Sequence, residues 1–122
     1  MATKQELREA LDDYVARGQA NERVRRTMKE MKDWNCLMHI QATDVDAAFT
    51  VDIKGGELRP VEDELRDTPD LIVRGSSEDL ANIFWGDENP ASNYMQGAIQ
   101  TQGTQEDIMR LDAMALFIFL DK

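Results

Sequence analysis

A chain of 122 residues, 42% apolar and 31% charged, is sized for one domain, 1–122, whose single core needs no disulfide. Its net charge of -10 repels phosphate backbones and anionic headgroups, which argues against nucleic acid as a partner. The lone cysteine, Cys36, excludes an intrachain disulfide and a four-cysteine metal centre, and suits a reducing compartment.

The first fifteen residues are charged from the fourth onward and hold no apolar stretch of signal-peptide type. Thr3 and Glu6 have capping-box spacing, and Leu7, Leu11, Tyr14 and Val15 recur at helical intervals, which predicts a helix over 3–17 stopped by Gly18. A second helix over 21–32 sets Val24, Met28 and Met31 on one face and Arg23, Arg25, Arg26, Lys29 and Lys32 on the other. That basic face, alone on an acidic chain, reads either as a solvated surface or as a dock for an anionic partner.

The period then changes to two. Over 34–43, Trp34, Cys36, Met38, Ile40 and Ala42 share one side, and Leu37, His39 and Gln41 the other. Over 48–54, Phe49, Val51 and Ile53 oppose Thr50, Asp52 and Lys54. "KGGE" at 54–57 is a hairpin turn, and Pro60 in the return strand predicts a sheet edge. "DLIVRG" (70–75) is a further strand. Ser76 with Asp79 caps a helix that carries Leu80, Ile83 and Phe84 on one stripe and ends at Gly86. A short helix starting at Pro90, a strand over 98–103 and a last helix opened by Thr104 and Asp107 complete the chain. This order predicts an α+β domain, with helices gathered on one face of a mostly antiparallel sheet.

Chemistry is scarce. His39 is the only histidine, and its odd offset from Cys36 on a strand puts the two on opposite faces, so no dyad forms. Nothing clusters as a zinc site, and no cofactor is expected. Apolar surplus is what stands out. The run "AMALFIFL" (113–120) has no polar position, yet falls far short of the roughly 20 residues that span a bilayer. Beside it, "FWGDENPASNYMQG" (84–97) gathers Phe84, Trp85, Tyr94 and Met95 around glycines and Pro90.

From Asp70 through "SSEDLANIF", Gly86, "NPASNYMQG", "AIQTQG" and "MRL", the chain resembles the sterol carrier protein 2 (SCP-2) sterol-transfer family, and "FTVDIKGGEL" (49–58) is similar to that family's second and third strands. The resemblance implies a five-stranded sheet, helices on one face and a hydrophobic tunnel between them that holds a lipid, fatty-acyl chain or sterol without catalysis. Carried onto this sequence, it makes Leu80, Ile83, Phe84, Trp85, Tyr94, Met95, Met109, Met114, Phe117 and Ile118 the expected lining. The family's Lys after the second-motif Gly is absent, replaced by Ala98-Ile99-Gln100, which removes positive charge near the tunnel.

The expected function is therefore binding or transfer of an apolar lipid, without stable membrane insertion. The rival is a small enzyme, or an accessory domain of one, using a desolvated carboxylate such as Asp112. A third reading makes 113–120 a homodimer interface. The final "FLDK" is no peroxisomal address of the S-K-L kind, and a cytoplasmic location is expected.

Overall fold

Alternating apolar side chains build the sheet. The structure, a computed structural model, describes residues 2–87 and 97–120. In it β1 (Cys36–Ala42) pairs antiparallel with β2 (Ala48–Lys54) and parallel with β4 (Leu71–Gly75). β3 (Glu57–Leu58) and β5 (Ile99–Gly103) take the two edges, in the order β3-β2-β1-β4-β5. Register sets Cys36 opposite Ile53, Met38 opposite Val51 and Ile40 opposite Phe49, so one face is continuously apolar.

Four helices are described: α1 (Lys4–Ala20), α2 (Glu22–Glu30), α3 (Ser77–Trp85) and α4 (Gln105–Leu120). All the expected N-caps form. Thr3 and Glu6 close a capping box, Ser76 accepts from the Asp79 N–H at 3.1 Å, and Thr104 accepts from the Asp107 N–H at 3.2 Å. The predicted stop at Gly18 is not one. α1 continues to Ala20, and Gly18 lies in its interior where a Cβ would sit 2.7 Å from Leu58 Cδ1 and 3.2 Å from Ile118 Cδ1. Absence of a side chain there serves close packing. Asn21 ends the helix instead: its N–H donates to the Arg17 carbonyl, while its side chain caps α2 and donates to the Phe117 carbonyl at 3.2 Å.

Pro60 lies just past an edge strand, as expected, and β3 is only two residues long. A bridge between Thr50 and Glu62 prolongs the pairing. Residues 59–70 then cross the sheet to reach β4, a passage that the parallel β1–β4 pair requires. They run over the face away from the helices. There Thr50 Oγ1 donates to the Glu64 carbonyl at 2.6 Å, His39 Nε2 meets the Arg66 carbonyl at 3.0 Å, and Arg66 pairs with Asp52 at 3.0 Å. Buried polar groups on that face thus have partners, as burial demands. His39 is a hydrogen-bonded structural residue facing away from Cys36. Burial pushes the Cys36 thiol up to about 12, which removes it as a nucleophile.

The hairpin turn packs under α2. Gly56 has φ +75 and an added Cβ would meet the Met28 carbonyl oxygen at 2.3 Å, whereas Gly55, at φ +58, would meet only the Lys32 carbonyl at 3.5 Å. Gly56→Ala is expected to destabilise the fold by about 3 kcal/mol and Gly55→Ala by about 1 kcal/mol. Denaturant unfolding of both variants checks this, and equal losses would show that the close approach to α2 carries no energy.

Candidate functional site

Three helices lie over the apolar face of the sheet, each fixed at its rim by a polar contact. The α1 residue Arg17 forms an ion pair with Asp13 at 2.8 Å and donates from Nη2 to the Phe84 carbonyl, which ties α1 to the last turn of α3. The first turn of α3 is held by Asp44, whose carboxylate accepts from the Ser77 N–H at 2.8 Å and from its hydroxyl at 3.0 Å. α4 is anchored near its start, where Trp34 Nε1 donates to Asp107 at 2.8 Å and Arg110 lies over the Trp34 ring at 5.6 Å.

Inside that rim the contacts are apolar. Between the sheet and helices α1, α3 and α4 lies an apolar void of about 30 Å³. The sheet supplies Met38, Ile40, Val51, Val73 and Ile99, and the helices supply Leu11, Tyr14, Leu80, Ile83, Phe84, Leu111 and Ala115. Tyr14 meets Phe84 edge-on with ring centroids 5.0 Å apart. The void is small, and among the described residues no open tunnel runs through this interior.

Of the residues expected to line a tunnel, Leu80, Ile83 and Phe84 stand at the void. Trp85, Met114, Phe117 and Ile118 belong to the surrounding core packing. Met109 is 62% exposed and, with Leu116 and Leu120, lies on the outer side of α4. Tyr94 and Met95 fall outside the described residues. Sequence reasoning missed the lining from β1, β2, β4, β5 and α1. The alternation in β1 and β2 marked Met38, Ile40 and Val51 as one face, and no signal told that face from ordinary core.

Tyr14 is the polar exception. It is 4% exposed, and its hydroxyl has no hydrogen-bond partner. A buried donor in that state costs about 1–3 kcal/mol. Burial, foremost, pushes its pKa up; the Arg17 charge acts against this and the Asp112 charge with it.

A second concavity, of about 840 Å³, is an open groove between α2 and the β2–β3 turn, with Arg25, Arg26, Lys29 and Lys32 along it and Val24, Met28 and Leu58 at its base. Arg26 has Glu22 at 3.8 Å as an exposed partner, and the basic face of α2 is solvated. This groove is a surface feature, much larger than the void and far more polar. Among the described residues there is no cluster suited to a metal ion, and no helix is long and apolar enough to cross a membrane.

A helix layer over a five-stranded mixed sheet, meeting across an apolar interior, defines an α+β domain. The sequence matches the model of the SCP-2 sterol transfer family over residues 18–115, and the chain belongs to that family. Among solved structures it is similar to the ubiquinone synthesis protein UbiJ-SCP2, at 11% identity over 99% of this chain and 98% of that one, with a TM-score of 0.66. It is similar also to sterol carrier protein domain 2 of Helicoverpa armigera, at 20% identity over 92% and 84% of the two chains, with a TM-score of 0.59. The sec-alkyl sulfatase PisA1 matches at 13% identity and a TM-score of 0.57, over 71% of this chain but only 14% of its own length. At such identities the likeness speaks for the fold. Among curated proteins no sequence match is found.

Hydrogen bonds from the Ser77 backbone, chiefly, hold the Asp44 carboxyl below its usual range. A lowered folded-state pKa gives stability that is fully present above the unfolded value of about 3.9 and is lost as pH falls through the folded value. Asp44→Asn is therefore expected to lower Tm at neutral pH and to close that gap as pH drops below about 4. Thermal melts across this range check it; parallel curves for the two proteins would show that Asp44 does not hold α3 through its charge.

Proposed function

We propose that the protein binds and transfers an apolar lipid, held without catalysis between the sheet and helices α1, α3 and α4. Membership of the SCP-2 sterol transfer family supports lipid binding in general. The observation that carries the reading for this chain is the apolar void in its helix–sheet interface.

The driving force is removal of apolar area from water, about 25 cal/mol per Å² or about 0.8 kcal/mol per buried CH2. A void this small admits a chain only when its walls part. The walls suit that motion, because contacts among Leu11, Met38, Ile83, Phe84 and Leu111 are non-directional and re-form around a guest. Met38 adds a deformable thioether. The polar contacts at the rim fix where the helices return. Selectivity among chains then follows the shape of the opened tunnel and is broad. Of the expected lining, Leu80, Ile83 and Phe84 are the residues we assign to the tunnel wall.

The enzyme reading rests on Asp112, which lies half-buried on α4 near enough to Tyr14 for its charge to act there. Among the described residues Cys36 and His39, the cysteine and histidine of the chain, occupy opposite faces of β1 and form no pair.

Native mass spectrometry of protein purified without detergent is expected to show a co-purifying lipid. The delipidated protein is expected to take up a fluorescent long-chain probe, and Ala115→Leu, which fills the void, to weaken that uptake at least tenfold while far-UV circular dichroism stays unchanged. Delipidated wild-type protein that leaves the probe in solution would overturn the proposal.

A further inference from the structure

Two buried donors in the helix layer lack partners: the hydroxyl of Tyr14 and Nη1 of Arg17. They lie three residues apart on α1, so their side chains share one face of the helix. The remaining donors of Arg17 are engaged, Nε with Asp13 at 2.8 Å and Nη2 with the Phe84 carbonyl. Tyr14 lines the void, and its hydroxyl is the one polar side-chain group among that lining. An ordered water needs two to four polar partners, and the lining of this void offers it one. The orphaned donors therefore await an acceptor that arrives with the guest.

Charge narrows the guest. One cation, Arg17, faces this place, and two carboxylates oppose it: Asp13 in the ion pair and Asp112, whose field reaches Tyr14. Among the described residues the local sum is one negative charge. A carboxylate headgroup would meet repulsion there, whereas an uncharged oxygen would meet the Tyr14 hydroxyl, with Arg17 next to it on α1.

We infer that Tyr14, with Arg17 beside it, is the polar anchor of the lipid site and selects a neutral lipid ending in an acceptor oxygen, a long-chain alcohol or ketone, over a fatty-acid anion. This rests on the lipid-binding reading above and adds its specificity. The anchor would set the depth to which the chain enters, with the oxygen beneath Phe84 and the hydrocarbon along Met38, Val51 and Val73. It also converts the buried hydroxyl from a liability in the empty protein into a contact in the loaded one.

The test is displacement of a neutral naphthylamine dye from delipidated protein by dodecanol, dodecanoate and dodecane, in wild type and Tyr14→Phe, with Tm measured for both. Wild type is expected to prefer dodecanol to dodecanoate. Tyr14→Phe is expected to weaken dodecanol about tenfold, to leave dodecane unchanged, and to keep or raise Tm, because the hydroxyl has no partner to lose. A fall in Tm with unaltered dodecanol binding would assign the hydroxyl to structure and overturn the anchor. So would tighter binding of dodecanoate than of dodecanol in wild type. If dodecane and dodecanol displace the dye equally from both proteins, the anchor fails while lipid binding stands. If wild type takes up neither the dye nor any of the three compounds, lipid binding fails, and the anchor with it.

Discussion

The fold depends on one constraint: the apolar face of the sheet must be covered, and three separate helices cover it. Each helix touches the sheet through apolar side chains, and hydrogen bonds hold its rim. Arg17 fastens α1 to α3, Asp44 fastens the start of α3, and Trp34 with Asp107 fastens α4. The opposite face of the sheet is built on the contrary plan. Thr50, Asp52 and His39 are tied to residues 59–70 by hydrogen bonds and an ion pair, which makes that side rigid.

The interior between sheet and helices holds a void of about 30 Å³. An apolar void forfeits dispersion contacts along its walls, so close packing around Tyr14 and Phe84 is favourable. That packing has its own cost in the stranded hydroxyl. The balance between the two decides how readily a guest enters, and it lies in a handful of side chains on α1, α3 and α4.

Much of this was legible in the residues. Thr3 with Glu6, Ser76 with Asp79 and Thr104 with Asp107 announce their helices because capping is local chemistry. The period of two in 36–42 and 48–54 gives both sheet faces, and Pro60 foretells the edge because a residue without an N–H cannot donate to a ladder. Gly18 misled for a physical reason: glycine ends a helix when it turns left-handed, but also permits close packing inside one, and only the approach of Leu58 and Ile118 distinguishes the two. The site was less legible. Leu80, Ile83 and Phe84 follow from the stripe on α3. The contribution of Leu11, Tyr14, Val73 and Leu111 depends on how each helix is rotated against the sheet, a tertiary property that no local pattern encodes. Met109 shows the limit from the other side, since an apolar residue on an apolar helix still faces out.

The account places cargo between sheet and helices, and not in the larger basic groove along α2. Delipidated protein with isotopically labelled methyl groups, titrated with a long-chain alcohol, tests that placement directly through intermolecular nuclear Overhauser effects. The account predicts cross-peaks from the alkyl chain to Val51, Val73, Leu80 and Leu111. Cross-peaks confined to Val24, Met28 and Leu58 would contradict it.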